Sequence, residues 1–306
     1  MQLTNINDAW IIFNPAAGRL RHGGMARLIE VVHIFKQAGI TAELHATDAP
    51  GSATRMAHAA AGQHRGMVIA CGGDGTLHEV VNGLAGSQVP LALLPAGTAN
   101  VLAKELRISW DLREAARQLV GGQVRRIALG QAIPQDNGAE PHYFITLAGA
   151  GVDADMVYRV DPALKKRYGV GAYWVAGFQQ FLNYRYPAFR VKSDCGEQVG
   201  SYIAIGRTKA HGFPVNITDG ADLYSDQFEA AVFSNKSSGR AFIHGCAALL
   251  GRLRRMPDVH FSRCREILCT PVNGDTIHVQ ADGELIGTLP MTFRIVPNAL
   301  SLVIPS

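Results

Sequence analysis

Over residues 1–120, short apolar runs alternate with stretches in which apolar residues recur at helical spacing. The apolar runs predict strands at residues 10–13, 41–45, 67–71 and 91–94. The intervening stretches predict helices at residues 24–38, 52–63, 77–84 and 111–120. Such alternation is typical of an α/β domain with a doubly wound, mostly parallel sheet and helices on both faces. Loops at the carboxyl ends of its strands are then expected to form the binding site.

From about Arg125 the helical periodicity gives way to short strand-like runs separated by turn residues. These runs lie at residues 126–132, 143–147, 188–191, 199–205, 228–233, 267–270, 276–280 and 291–295. They predict an antiparallel, β-sandwich-like domain, interrupted by helical insertions at residues 168–184 and 239–255. We therefore expect two domains, one over residues 1–124 and one over residues 125–306.

Composition and charge exclude several classes of protein. The net charge of +4 is far from the concentrated positive charge of a protein that reads duplex DNA, so no nucleic-acid partner is expected. No apolar stretch approaches the ~18 residues of a membrane span, and the amino terminus does not resemble a signal peptide. The five cysteines show no CxxC spacing, which argues against a disulfide framework or zinc site and favours a cytoplasmic location. The sequence gives no indication of oligomeric state.

Three loops that contain glycine each follow a predicted strand of the first domain. They are Asn14-Pro15-Ala16-Ala17-Gly18-Arg19, Gly72-Gly73-Asp74-Gly75-Thr76 and Pro95-Ala96-Gly97-Thr98-Ala99-Asn100. Glycine lets the backbone approach an anion closely, and the start of the following helix adds positive potential. Any one loop is equally well explained as a simple strand-to-helix turn. Three loops in matching positions together favour a phosphate-binding site.

Asp74 is the unexpected residue in these loops. A carboxylate among amides that bind phosphate is repulsive unless a divalent cation or a transferable proton accompanies it. None of the loops is a Walker A sequence, so a P-loop fold is not implied. A GxGxxG fingerprint with a suitably spaced acidic residue is also missing, which argues against an NAD-dependent dehydrogenase.

The segments IIFNPAAGR, IACGGDGTLHEVVNGL and LLPAGTANVLAKEL resemble the three signatures of the diacylglycerol kinase catalytic-domain superfamily. This superfamily includes bacterial lipid kinases of the YegS type and the sphingosine and ceramide kinases. The resemblance continues through AGAGVDADMV, Lys165-Lys166-Arg167, Leu223-Tyr224-Ser225-Asp226 and Asp282-Gly283-Glu284, so it covers nearly the whole chain. It implies an NAD kinase- or phosphofructokinase-like first domain, with the last strand, at about residues 299–304, returning to it.

The resemblance also implies roles for individual residues. The ATP site would comprise Asn14, Pro15, Gly18, Gly72, Gly73, Asp74, Gly75, Thr76, Gly97, Thr98 and Asn100. Asp74 is expected to organise a catalytic Mg²⁺, and Glu284 to act as the general base that takes the proton from the lipid hydroxyl. Local sequence alone favours a simple hairpin turn at Asp282-Gly283-Glu284.

A structural Mg²⁺ is implied at Asp226, with the backbone carbonyls of Leu223 and Phe228 as further ligands; a turn aspartate explains Asp226 equally well.

Two departures from the family pattern reduce the acidic network around the catalytic Mg²⁺ expected at Asp74. Val101 stands where many members of the family have an aspartate, and Ala128 stands where many have an acidic residue.

Taken together, these features predict an ATP- and Mg²⁺-dependent lipid kinase of phospholipid metabolism that phosphorylates diacylglycerol or a related lipid. The aromatic stretch at residues 168–184 and the stretch at residues 240–255, which ends in Arg252, Arg254 and Arg255, are candidates for peripheral contact with the inner face of the membrane. For either helix alone, packing on the β domain with solvated arginines at one edge is the simpler explanation. The alternatives are a kinase for a soluble acceptor such as NAD, and a nucleotide-binding regulator with weakened catalysis.

Overall fold

A computed structural model describes residues 6–21, 23–136, 138–159, 184–209, 217–234 and 237–306. The chain divides into two compact units. Unit 1 comprises residues 1–129 and 296–306, and unit 2 comprises residues 130–295. The predicted helix at 168–184 lies, except for Tyr184, outside the described residues, as does the Lys165-Lys166-Arg167 run.

Unit 1 is the predicted α/β domain with a parallel sheet. Its strands are β1 (Asp8–Phe13), β2 (Thr41–Ala46), β3 (Val68–Gly72) and β4 (Leu91–Pro95). Its helices are α1 (Gly24–Gln37), α2 (Ser52–Gly62), α3 (Asp74–Leu84), α4 (Val101–Glu105) and α5 (Leu112–Val120). The strands are parallel in the order β2-β1-β3-β4. The last strand of the chain, β16 (Met291–Ile304), continues this order, because its Leu302 pairs in parallel with Leu91.

Burial along the strands explains this arrangement. Every residue of β3 and β4 is buried, as expected for central parallel strands covered on both faces. In β2, by contrast, exposed and half-buried residues occur along the whole strand, as expected at the edge of the sheet. The buried central strands are therefore the rigid elements from which the candidate loops emerge.

Unit 2 contains the predicted antiparallel strands. They are β5 (Gln123–Pro134), β6 (His142–Phe144), β7 (Leu147–Ala150), β8 (Phe189–Ser193), β9 (Gly196–Gly200), β10 (Tyr202–Gly206), β11 (Phe228–Phe233), β12 (Val259–Cys264), β13 (Glu266–Pro271), β14 (His278–Ala281) and β15 (Glu284–Thr288). Strands β5 and β16 extend from one unit into the other. The helices are α6 (Val152–Arg159), α7 (Ser238–Leu249) and a 3-10 helix at Leu253–Arg255.

Two antiparallel layers form the sandwich. One sheet has the order β12-β11-β10-β7-β14-β15, and the other layer contains β16, β13, β8 and β9. Strand β10 shows how the core forms, since its side chains alternate between the two faces. Ile203 and Ile205 belong to the apolar core between the layers, whereas Tyr202 and Ala204 belong to a second cluster that includes residues of α6 and α7.

Some predicted boundaries were wrong. The predicted strands at 143–147 and 199–205 are each two short strands, and β12, β15, α4 and α6 were not predicted. The predicted helix at 239–255 ends at Leu249, close to Gly251, whose φ of 63° lies in the left-handed region that terminates helices. No helix among the described residues has the length and apolar character needed to cross a lipid bilayer.

Candidate active site

Three loops lie at the carboxyl ends of neighbouring parallel strands in unit 1. We call them the Asn-Pro loop (14–19, after β1), the Gly-Asp loop (72–76, at the end of β3) and the Gly-Thr loop (95–100, at the end of β4). Because β1, β3 and β4 are adjacent and parallel, the loops emerge at one edge of the sheet. Ligands of doubly wound α/β folds bind at such an edge.

Backbone hydrogen bonds join the three loops directly. In the Asn-Pro loop, the N–H of Arg19 donates to the carbonyl of Ala96 in the Gly-Thr loop at 3.1 Å, and the N–H of Asn14 donates at 3.1 Å to the carbonyl of Cys71, the β3 residue just before the Gly-Asp loop. The carbonyl of Gly72 accepts from the N–H groups of Ala96 and Gly97, at 2.8 and 3.0 Å. The loops that the sequence singled out are thus one connected structure.

Gly73 and Gly97 let the Gly-Asp and Gly-Thr loops approach each other closely. A Cβ atom built on Gly97 would lie only 2.4 Å from the Cα of Gly73, a separation that real Cβ atoms do not show. Gly97 therefore has to lack a side chain for the Gly-Asp and Gly-Thr loops to meet. The result is a bare backbone surface between two strands, which is the kind of surface that backbone phosphate sites use.

Asp74 links the Gly-Asp loop to the first residues of α4. Its Oδ2 accepts the N–H of Asn100 at 2.9 Å, and its Oδ1 accepts the N–H of Val101 at 2.7 Å. An aspartate that receives N–H groups at a helix start stabilises that helix. This gives the carboxylate a structural role that the sequence did not reveal, in addition to the cation binding predicted for it.

The remaining predicted ATP-site residues differ in exposure. Thr76 and Asn100 are buried, and Asn100 has a left-handed φ of 43° with its side-chain amide donating to the carbonyl of Gly97 at 3.1 Å. Asn14 is half-buried, and its Oδ1 accepts the N–H of Ala16 at 2.9 Å. Pro15, Gly18 and Thr98 are exposed. The side chains of Asn14 and Asn100 thus hold the backbone of their own loops, whereas the three exposed residues are accessible from solvent.

In unit 2, Asp282-Gly283-Glu284 forms the hairpin turn between β14 and β15. Asp282 and Gly283 have φ values of 51° and 87°, as required at the two central positions of a type I′ turn. The Asp282 carboxylate accepts the N–H groups of Ile145, Thr146 and Leu147 and the Thr146 hydroxyl, at 2.6–3.2 Å. It therefore anchors the turn, and Glu284 is exposed at the first position of β15.

A second set of contacts supports this hairpin from within unit 2. Gln280 accepts the N–H of Gly283 at 2.9 Å and donates to Oδ2 of Asp153 at 3.0 Å. Burial raises the pKa of Asp153 to about 6, although Gln280 and the N–H of Ala154 stabilise the carboxylate. Asp153 lies in the AGAGVDADMV segment that carried the resemblance, but the sequence gave it no role.

The geometry around Leu223 argues against the predicted structural magnesium ion. The Leu223 carbonyl accepts Nη2 of Arg207 at 2.7 Å, so a guanidinium occupies the oxygen that was expected to bind metal. Asp226, the one carboxylate of the predicted site, is exposed. The residues at Leu223, Asp226 and Phe228 therefore do not fit Mg²⁺ as predicted.

Helix α7 presents an apolar surface to solvent. Phe242, Ile243, Leu249 and Leu250 are 53%, 46%, 63% and 69% exposed, whereas Ala241, His244 and Ala247 are buried. Arg252 and Arg255 are exposed beyond the end of the helix. Arg254, the third arginine of this stretch, forms ion pairs with Asp219 and Glu229.

Comparisons with known proteins agree with this two-unit architecture. The diacylglycerol kinase catalytic domain family matches residues 8–132, and the YegS C-terminal NAD kinase beta sandwich-like domain family matches residues 146–304. Diacylglycerol kinases of Bacillus subtilis and Staphylococcus saprophyticus are 29% and 27% identical; the alignments cover 97% of this chain and 96% and 95% of those proteins.

The fold is also that of a solved structure. A crystal structure of a diacylglycerol kinase from Bacillus anthracis str. Sterne aligns with a TM-score of 0.70 and 17% identity, covering 99% of this chain and 98% of that one. The two units thus define a kinase catalytic domain followed by a β-sandwich-like domain. The chain belongs to the diacylglycerol kinase family with a YegS-type carboxyl-terminal domain, which is a family of lipid kinases.

Proposed function

We propose that this protein transfers the γ-phosphoryl group of ATP to a hydroxyl group of diacylglycerol or a related lipid, giving a phosphatidic acid-type product in phospholipid metabolism. The observation that supports this most directly is the hydrogen-bonded joining of the three loops at one edge of a parallel sheet. Phosphoryl transfer requires mainly positioning and charge neutralisation, so a rigid backbone surface is the feature it needs most.

ATP binds, in this proposal, to the Asn-Pro, Gly-Asp and Gly-Thr loops. The closely spaced backbones at Gly73 and Gly97 receive the phosphates, and the exposed hydroxyl of Thr98 donates to a phosphate oxygen. The buried residues Thr76 and Asn100 keep the loops in place. This division of roles follows their exposure.

The Asp74 carboxylate suits a catalytic Mg²⁺. An ionised carboxylate offers about four acceptor sites, so it can accept backbone N–H groups and also ligate a hard cation. When bound, the metal neutralises charge on the transferring phosphoryl group. Val101 and Ala128 supply no carboxylate, so a bound metal would rely more on Asp74, ATP oxygens and water.

Glu284 acts as the general base. It accepts the proton of the lipid hydroxyl as the oxygen of that hydroxyl bonds to the γ-phosphorus and the bond to the leaving ADP oxygen breaks. Two observations support this role: Glu284 is exposed, and Asp282 fixes its hairpin through four hydrogen bonds. A general base has to be both accessible and rigidly held.

The lipid is reached at the surface of an anionic bilayer, with the exposed apolar face of α7 as the contact surface. Helix α7 contains no acidic residue, and Arg252 and Arg255 lie just beyond its end. An apolar helix face bordered by arginines matches the interface of an anionic membrane. Replacing Leu249 and Leu250 together by serine should weaken sedimentation with vesicles containing phosphatidylglycerol at least tenfold, whereas Val272→Ser, also at an exposed apolar site, should not.

The catalytic proposal is tested by incubating the full-length protein with γ-labelled ATP, Mg²⁺ and diacylglycerol in mixed micelles. Labelled phospholipid should form, and Asp74→Asn and Glu284→Gln should each abolish it. The matched controls Asp275→Asn and Glu266→Gln change exposed carboxylates outside the proposed site and should retain activity. Asp74→Asn keeps one acceptor for α4, so the variant should remain folded with a loss of about 1 kcal/mol of stability.

The same assay separates the alternatives. A labelled water-soluble product, for example from NAD, would identify a kinase for a soluble acceptor. Binding of ATP without transfer to any acceptor would identify a regulator. Near-normal lipid phosphorylation by Asp74→Asn or Glu284→Gln would remove that residue from the mechanism.

A further inference from the structure

Arg207 is a fully buried arginine in unit 2, directly after β10. Its backbone N–H donates to the carbonyl of Thr146 at 2.8 Å, which fixes its main chain beside the anchored segment at residues 145–147. A buried charge is unfavourable unless polar groups surround it. The groups around this guanidinium therefore decide its role.

Among the described residues, the hydrogen-bond acceptors of this guanidinium include three backbone carbonyls of one loop. Nη2 of Arg207 donates to the carbonyl of Leu223 at 2.7 Å, and Nη1 donates to the carbonyls of Ser225 and Gln227, the latter at 3.2 Å. Alternate residues of a single loop thus direct their oxygens at one positive group. Converging backbone carbonyls are also how proteins bind hard metal cations.

We propose that Arg207 is the resident cation of the loop at residues 222–228 and replaces the structural magnesium ion expected there. The guanidinium and a magnesium ion would compete for the Leu223 carbonyl, and their like charges would repel each other in a buried environment. The chain would therefore hold this loop without a metal.

Arg207 carries its positive charge at physiological pH. Burial lowers the pKa of Arg207 to about 10, while the nearby carboxylates of Asp226 and Asp222 act in the opposite direction. The side chain is therefore protonated throughout the neutral range. Both carboxylates are exposed, so their contribution is a solvent-screened attraction, whereas the carbonyls hydrogen-bond to the guanidinium directly.

The structural consequence concerns the start of β11. The loop leads directly into Phe228, a fully buried residue of the sandwich core. By holding the carbonyls of residues 223–227, Arg207 fixes the direction in which the chain enters this strand. Order in this loop should then depend on Arg207 and not on the concentration of divalent cations.

The test measures hydrogen exchange in a peptide covering residues 217–229 of the nucleotide-free, full-length protein. For the wild type, exchange should be the same in EDTA and in millimolar Mg²⁺. Arg207→Met should speed exchange of this peptide at least about tenfold, and Mg²⁺ should not reverse the change. Arg265→Met, which changes an exposed arginine of the same unit, should behave as wild type.

Two results would overturn the proposal: faster exchange of the wild-type peptide in EDTA, or unchanged exchange in Arg207→Met. If Arg207→Met does not fold, Arg207→Lys replaces it and should show an intermediate increase, because one ammonium group cannot match the guanidinium fork. The readout is local exchange without ATP. Its result is therefore independent of the catalytic Mg²⁺ proposed at Asp74 and of kinase activity.

Discussion

Replacing Asp153 by asparagine should raise the free energy of unfolding at neutral pH and lower it at acidic pH. The pKa of Asp153 rises from its ordinary 3.8 to about 6 because the carboxyl is buried. This difference of about two pKa units means that ionisation of Asp153 costs the folded state about 3 kcal/mol at neutral pH. Asparagine removes that cost, but its single oxygen cannot serve both Gln280 and the N–H of Ala154, which costs about 1 kcal/mol.

The sign follows from proton binding. Between about pH 4 and pH 6 the folded state binds more protons at Asp153 than the unfolded state, so wild-type stability falls as the pH rises through this window. Above pH 6, Asp153 is ionised in the folded state as well, and the full cost of ionising it in a buried position is present. Asp153→Asn should therefore be more stable than wild type by about 2 kcal/mol at pH 7.5 and less stable by about 1 kcal/mol at pH 4.

Urea unfolding followed by circular dichroism at several pH values between 4 and 7.5 measures this difference. Asp275→Asn, at an exposed position of the same unit, serves as the control and should differ little from wild type throughout. A stability difference for Asp153→Asn that stays constant across this range would refute the reasoning, since it would mean that Asp153 has the same pKa in both states.

Three further predictions concern other contacts. Gly97→Ala should weaken ATP binding at least tenfold by calorimetry, because the new Cβ forces the loops at Gly73 apart; an unchanged Kd would contradict this. Asp282→Ala should lower the Tm by several degrees, since it leaves three backbone N–H groups without their acceptor, and an unchanged Tm would argue against an anchoring role. The Arg240 guanidinium holds the pKa of Asp258 well below its usual range, so this pair stabilises the fold above about pH 4 and less as the pH falls. Asp258→Asn should therefore lower the Tm at pH 7 but approach wild type near pH 2, and a constant difference would show that the ion pair is not the cause.

The fold of unit 1 could be predicted because its determinants are local. Continuous apolar runs identify β3 and β4 as buried parallel strands, and the glycine-containing loops directly follow them in sequence. Parallel topology alone then requires these loops to meet at one edge. The contacts that complete the arrangement, such as Asp74 with the N–H groups of Asn100 and Val101, depend on loop conformation and were not predictable.

The contacts that could not be predicted join a side chain to backbone groups of a segment distant in sequence. Backbone groups leave no signal in the sequence, because almost every residue type supplies them. Asp282 binds backbone N–H groups about 136 residues earlier, and any sequence would supply such groups. Arg207 likewise binds carbonyl oxygens, so nothing in residues 223–227 reveals that an arginine lies against them. At Asp226 the motif indicates a cation-binding loop, but it does not reveal that Arg207 lies against the carbonyl of Leu223.

Strand β16 has a consequence for how the protein is made. It supplies the parallel neighbour of β4, the strand that precedes the Gly-Thr loop, yet it is separated from β4 by about 200 residues of chain. A ribosome that has finished unit 1 up to residue 129 has therefore produced a sheet with one edge still open. The edge is covered only when residues 296–306 emerge, so premature termination before them leaves the Gly-Thr loop on an unfinished sheet.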